Sequence, residues 1–140
     1  MKKTFKNYEI ENILSVLNSP DSLLHTSDPN KKLSVKILWK LSNNFDEFRK
    51  VYEKINQMRE EINQEYISDE KSEEVIDEET GQMLRKVKDE YFKEYTQKIK
   101  ELMDIDNELE ISGLPLDDIE NLAMTPADFN SIKFMIMEEN

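Results

Sequence analysis

The sequence predicts an all-α fold, a long antiparallel helical hairpin with a short N-terminal helix and a packed C-terminal helix. Apolar side chains recur every three or four residues over residues 38–66, which indicates a long helix with a narrow apolar seam. A second such run, over residues 84–109, is suited to cover that seam.

Hydrophobic and charged residues make up 37% and 36% of the chain, with only two glycines. That balance is typical of long exposed helices and not of sheets with many tight turns. The length of 140 residues predicts one helical domain, residues 1–140.

The first helix is predicted to begin at Asn7, a residue type that caps helix N-termini. Glu9 and Glu11 follow in the first turn, where the helix dipole favours acids. Its apolar residues recur at helical spacing on one face: Ile10, Ile13, Leu14 and Leu17. Pro20 ends this helix, because proline cannot continue the hydrogen-bonding pattern of a helix. Residues 1–30 are therefore predicted to form this helix and a loop that follows it. Thr4–Lys6 could form a short extended segment before the cap.

The long helix is predicted over residues 31–67, directly after Pro29, because proline is accepted in the first turn of a helix. The pair Asn43 and Asn44 is its weakest point, since asparagine side chains compete for backbone hydrogen bonds. A bend or a break at this pair is the open alternative to a continuous helix.

An acidic connector, residues 68–81, separates the two long helices. Its composition favours a mobile loop. The pair Val75-Ile76, followed by Gly81, also permits a small β-hairpin, but the loop is the preferred prediction. The third helix is predicted over residues 82–110, and a short connector then requires the two long helices to pack antiparallel.

The last segment, residues 111–140, is predicted to form a turn and a C-terminal helix. Thr125 is a good cap, and Pro126 suits the first position of a helix. The apolar residues that follow point to nearly every side of that helix: Phe129, Ile132, Phe134, Met135, Ile136 and Met137. A helix of this kind must be buried, either against the hairpin or against another chain.

Composition and charge exclude several classes of protein. The chain has no cysteine and a single histidine, His25, which excludes disulfides, histidine–cysteine metal clusters and a Ser-His-Asp triad within one chain. A net charge of −12 argues against unaided binding to nucleic acid or to an anionic membrane. Neither a signal peptide nor a membrane span is expected, and we expect a cytoplasmic protein.

No motif for catalysis is present in the sequence. Neither glycine lies in a phosphate-binding turn, and no pair of carboxylates lies inside an apolar run. We therefore expect no enzyme, no cofactor and no metal site. A carboxylate metal site would require the acids at positions 101, 104, 106 and 108 to converge on one ion.

The candidate partner-binding residues are one tryptophan and four apolar residues of the C-terminal helix. Trp39 lies off the axis of the apolar seam, so it either packs against the first helix or is exposed as an interface anchor. The four others either belong to the core or form a binding surface, for which methionine is well suited. They are Phe129, Ile132, Met135 and Ile136.

The C-terminal pattern resembles a known family. Residues 116–122 read Leu-Asp-Asp-Ile-Glu-Asn-Leu, Thr125-Pro126-Ala127-Asp128 follows, and residues 134–139 read Phe-Met-Ile-Met-Glu-Glu. This ending is similar to that of small uncharacterised proteins from tailed bacteriophages and prophages of low-GC Gram-positive bacteria. The resemblance covers the layout of the whole chain and is specific mainly in the C-terminal segment. It implies a phage-encoded accessory protein in the cytoplasm of the infected cell, and it carries over no functional residue.

Two functions follow as hypotheses. The first is a non-enzymatic interaction protein, a phage adaptor or assembly factor that binds another protein and also forms a homodimer. The second is an inhibitor of a host nucleic-acid-binding or defence enzyme that mimics nucleic-acid charge. It requires ordered rows among the acids at positions 60, 61, 65, 69, 70, 73, 74 and 77–79.

Overall fold

The structure is a computed structural model that describes residues 1–18, 33–119 and 126–137. The chain divides into two compact units. Unit 1 comprises Met1–Tyr52 and Asp106–Asn140, and unit 2 comprises Glu53–Ile105. The predicted loop after the first helix, His25 and the Thr125 cap lie outside the described residues.

Strands as well as helices make up the described part of the chain. The helices are α1 (Asn7–Asn18), α2 (Val35–Tyr66), α3 (Asp89–Met103), α4 (Leu116–Ile119) and α5 (Pro126–Ile132), followed by a 3₁₀ turn at Lys133–Met135. The strands are β1 (Lys2–Lys6), β2 (Ser72–Ile76), β3 (Met83–Val87) and β4 (Asp106–Glu110). They form two antiparallel two-stranded sheets, β1–β4 and β2–β3. The all-α prediction is therefore wrong, and the fold is a mixed α+β fold.

The β1–β4 sheet replaces the last part of the predicted third helix. That helix was expected to reach residue 110, but α3 ends at Met103 and β4 begins at Asp106. The two strands carry opposite charges, with Lys6 Nζ 3.3 Å from Asp106 and Lys2 Nζ 3.7 Å from Glu108. Cross-strand pairs of opposite charge stabilise an antiparallel sheet. The strand partner lies about a hundred residues away in the chain, so helical periodicity gave no sign of it.

The core of unit 1 centres on three phenylalanine rings. Phe5 of β1, Phe48 of α2 and Phe134 of the 3₁₀ turn contact one another edge-to-face, with ring centroids 5.4–5.7 Å apart. The buried residues around them come from the helices, the 3₁₀ turn and the connecting segments of the unit: Ile10, Leu14, Leu17, Leu33, Ile37, Leu41, Ile111, Leu114, Ile119, Ile132 and Met135. The C-terminal segment therefore packs within the chain, and its helix ends at Ile132, earlier than predicted.

Helix α2 passes without interruption through the pair that was predicted to weaken it. Asn43 is exposed, whereas Asn44 is fully buried. The Asn44 Nδ2 group donates a hydrogen bond to the Ser112 carbonyl at 3.0 Å, and the Ser112 N–H donates to Asn44 Oδ1 at 2.6 Å. The asparagine side chain is therefore used for a tertiary contact and does not compete with the helix backbone.

In unit 2, the end of α2 packs antiparallel to α3. The Tyr95 hydroxyl donates to Asn63 Oδ1 at 2.6 Å, and Arg59 Nη2 lies 3.5 Å from Met103 Sδ. As the residue number rises on α2, that of its partner falls on α3. These contacts cover one end of α2 only, because much of the predicted third helix is β-strand instead.

The acidic connector supplies strand β2 and the turn of the β2–β3 hairpin, and strand β3 comes from the range predicted as the third helix. The preferred loop prediction is therefore wrong, and the hairpin alternative is correct. Val75 pairs with Leu84, and Ile76 pairs with Met83. Asp77 organises the turn: its carboxylate accepts from the Glu79 N–H at 3.0 Å and from the Thr80 hydroxyl at 3.0 Å. Gly81 has a φ of 70°, a conformation that glycine adopts at low cost.

Replacing Asn44 with alanine should destabilise the protein. The Ser112 N–H and carbonyl would lose their partners, and we expect the free energy of unfolding to fall by about 1–3 kcal/mol. Asn43→Ala is the matched control, because the side chain is exposed and alanine favours a helix. Urea unfolding followed by circular dichroism measures both. Equal effects from the two substitutions would contradict this role for Asn44.

Replacing Gly81 with alanine should weaken the hairpin through the backbone alone. No atom lies within 4 Å of the added Cβ, so the expected cost of about 1 kcal/mol reflects the positive φ. Gly81→Asn should cost less, because asparagine tolerates this conformation. Hydrogen exchange of the β2 and β3 amides measures the loss. Unchanged protection in Gly81→Ala would show that the turn conformation does not limit hairpin stability.

Candidate interaction surfaces

The five candidate partner-binding residues do not form one exposed patch. Trp39 is 70% exposed. Ile132 and Met135 are fully buried in the core of unit 1. Phe129 and Ile136 are half-buried and pack against that core. In this structure only Trp39 is placed to contact a partner with most of its side chain.

Trp39 belongs to an apolar face at the start of α2. The buried stripe of this helix runs through Ile37, Leu41, Asn44 and Phe48. Trp39 and Val35, which is 82% exposed, lie on the opposite face, and Leu38, 41% exposed, lies at the edge of that face. We call these three residues the α2 outer face. Contiguous exposed apolar side chains are a feature of interaction sites, so this face is a candidate interaction surface.

The sequence pattern identified Trp39 but misplaced its neighbours. Leu38 was assigned to the buried seam, and Ile37 was left out of it. The buried residues Ile37, Leu41, Asn44 and Phe48 follow spacings of four and three, so the buried stripe begins one residue before the predicted seam. The α2 outer face could have been found from the sequence by placing Ile37 on the buried side of the helix and identifying the residues on the other side.

The β2–β3 hairpin presents a second group of exposed apolar side chains. Ile76 and Met83 are 67% and 60% exposed, and they lie opposite each other on one face of the sheet. Leu84 is exposed on the other face, opposite Val75. Sequence reasoning missed this surface because residues 68–81 were expected to form a loop and residues 82–110 a helix.

Arg85 ties the hairpin to the chain segment that precedes β2. Its Nη1 group donates to Ser72 Oγ at 2.9 Å, and its Nη2 group donates to Asp69 Oδ1 at 2.8 Å. The Ser72 hydroxyl in turn donates to the Ser68 carbonyl at 2.6 Å. Although a two-stranded hairpin alone is marginally stable in water, these contacts hold its base in a defined position.

An aromatic and charged cluster lies between the helices of unit 2. The buried Tyr66 ring contacts Tyr95 edge-to-face, and the ammonium groups of Lys71 and Lys98 lie 4.9 and 5.3 Å from its centroid. Lys98 Nζ also lies 3.0 Å from Glu65 Oε2. This ion pair lowers the pKa of Glu65 and raises that of Lys98. Burial raises the pKa of Tyr66. The cluster is a packing site for α2 and α3.

The described residues contain no group of three or more histidine, cysteine, aspartate or glutamate side chains arranged to hold a metal ion. Two of the acids considered for such a site, Asp106 and Glu108, form ion pairs with lysines of β1. Within the same described ranges, no helix has the length and apolar character needed to cross a membrane.

Comparisons of this chain with protein-family models, with curated proteins and with solved structures find no match. The resemblance to the phage family therefore stays a prediction from the C-terminal residues. The functional argument depends on the surfaces described above.

The Glu65–Lys98 ion pair predicts a pH-dependent contribution to stability. A lowered folded-state pKa means that Glu65 stabilises the fold above its ordinary pKa of 4.5 and loses this effect as the pH falls through the folded pKa. Glu65→Gln should therefore lower the melting temperature at pH 7, and the difference from wild type should vanish at acidic pH. Glu60→Gln, on the same helix, is the control. A difference that persists unchanged in acid would show that the pair has no such role.

Proposed function

We propose that this protein is a non-enzymatic interaction protein, a phage-encoded accessory, adaptor or assembly protein that binds another protein through the α2 outer face. The observation that supports this proposal is the exposure of Trp39 beside Val35 and Leu38 on a long, regular helix. A helix holds the three side chains in fixed relative positions, so little ordering is needed on binding. The resemblance of the C-terminal segment supports the phage context.

The chemistry of these side chains suits insertion into an apolar pocket. Tryptophan buries about 150–250 Å² of surface and is enriched among the residues that dominate binding energy. Its indole N–H supplies one hydrogen-bond donor at the edge of such a contact. Leu38 and Val35 would extend the buried area along the helix in the manner of a helix bound in a groove.

Charge mimicry of nucleic acid is the second candidate, and the structure gives it less support. Several of the acids it would use are engaged within the chain: Glu65 pairs with Lys98, Asp69 pairs with Arg85, and the Asp77 carboxylate accepts hydrogen bonds within its turn. Glu73 and Glu74 are neighbours on β2, so they point to opposite faces of the hairpin. These acids do not form one row of free charges.

Trp39→Ala tests the proposal. Trp39 is exposed, so the change should leave the free energy of unfolding within about 0.5 kcal/mol of wild type. Loss of a tryptophan that the partner buries on binding should weaken capture of that partner from lysate of host or infected cells by about 30-fold or more. Binding should survive a high-salt wash, whereas a charge mimic would lose its partner.

Two features of the chain sharpen this experiment. Trp39 is the only tryptophan, so its fluorescence should shift to shorter wavelength when the purified partner covers it. Tyr8→Ala removes an exposed aromatic residue from α1 and serves as the matched control. A partner that binds Trp39→Ala and wild type equally would refute the α2 outer face as the binding site.

A further inference from the structure

Both strands of the β2–β3 hairpin have an unpaired edge. The described part of the chain contains no third strand in this sheet. Two hydrogen bonds fix which backbone groups point outward: the Asp77 N–H donates to the Gln82 carbonyl at 2.8 Å, and the Lys88 N–H donates to the Lys71 carbonyl at 2.9 Å. Antiparallel pairs alternate between hydrogen-bonded and non-hydrogen-bonded. The outward groups are therefore those of Glu74 and Ile76 on β2 and of Met83, Arg85 and Val87 on β3.

The two edges carry opposite charges. β2 reads Ser-Glu-Glu-Val-Ile, and β3 reads Met-Leu-Arg-Lys-Val. Within the hairpin Glu73 lies opposite Lys86, and Glu74 lies opposite Arg85. All four of these residues are exposed. One edge of the hairpin is therefore acidic and the other basic, and both also carry apolar residues.

We propose that a second copy of this chain adds to the hairpin, with β3 of one copy antiparallel to β2 of the other. In the register of the hairpin itself, the outward backbone groups meet: Arg85 faces Glu74 of the second copy, and Met83 faces its Ile76. Lys86 then lies opposite Glu73, and Leu84 opposite Val75. Each of these four pairs joins opposite charges or two apolar side chains, and the remaining pair of the register places Val87 opposite Ser72. This association uses residues that the proposed partner site does not.

Pairing of like strands is disfavoured by the same charges. Two β2 edges would bring Glu73 and Glu74 close to their own copies, and two β3 edges would do the same for Arg85 and Lys86. Like charges opposite each other destabilise an antiparallel pair. The favoured contact joins different edges, so each addition leaves one free edge of each kind, and species larger than a dimer should appear as concentration rises.

The net charge of −12 opposes this association at long range. At about 0.15 M salt the Debye length is about 8 Å, so charges distant from the contact are largely screened while the paired strands are not. A contact between five-residue strands is small, and a weak association is expected. Sedimentation of the wild-type protein up to about 1 mM at this ionic strength should therefore show a rise in mass.

The charge-swapped variant E73K/K86E provides the decisive test. It keeps an opposite pair within each hairpin and keeps the net charge. Two swapped copies still match each other, whereas a swapped copy and a wild-type copy bring like charges together at both kinds of contact. Lys86 Nζ also lies 3.7 Å from Asp89 Oδ1, but an ion pair so exposed contributes little to the stability of the fold.

The chain has no cysteine, so Ser15→Cys in α1 supplies a single labelling site in each protein. Energy transfer between labelled copies should show association of wild type with wild type and of swapped with swapped. The mixed pair should associate at least tenfold more weakly. E53K/K54E, which exchanges two exposed charges on α2, should associate with wild type normally. Met83→Pro should block association, because it removes an outward N–H without breaking a bond of the hairpin.

Three outcomes would overturn the proposal: wild-type protein that stays monomeric throughout the concentration range, a mixed pair that associates as strongly as the matched pairs, or an equal loss in E53K/K54E. Circular dichroism confirms that each variant is folded. Trp39→Ala should leave self-association unchanged, and E73K/K86E should leave partner capture unchanged. Failure of self-association is thereby distinguished from failure of the proposed partner site.

Discussion

The edge-to-face contact of Phe5, Phe48 and Phe134 is the constraint on which the architecture of unit 1 depends. The three rings come from the first strand, the long helix and the last turn, so burying them brings both ends of unit 1 onto α2. Once Phe5 is held there, β1 lies beside residues 106–110, and its lysines meet their acids. The β1–β4 sheet then follows from a core contact and not from any local preference of residues 106–110.

This dependence explains which elements sequence reasoning found. Helix α1 and the buried stripe of α2 recur at helical spacing within the sequence, and both were predicted close to where they occur. Strand β4 was not predicted, because its partner β1 lies about a hundred residues earlier in the chain. The β2–β3 hairpin is an intermediate case. Its sequence signal, the pair Val75-Ile76 followed by Thr80-Gly81, is local and was noticed, but the acidic composition of residues 68–81 outweighed it.

The candidate site was predictable to a similar degree. Trp39 was identified as an anchor or a core residue, and only the structure places it on the side of α2 opposite Ile37. Ile132 and Met135 show the limit of composition as a guide. An apolar helix at the end of a chain is equally suited to bind a partner or to close a core, and here the three-ring contact draws it into the core.

The two exposed surfaces differ in what would select the partner proposed for each. The α2 outer face is apolar, so its affinity depends on the shape of a pocket and hardly on salt. The hairpin edges combine backbone hydrogen bonds, which any strand offers, with a charge order that only a matching strand satisfies. Natural edge strands commonly use charge to prevent association. In this hairpin the acidic and basic edges prevent like strands from pairing but leave unlike strands matched, so the same charges that exclude general aggregation specify a second copy of the chain.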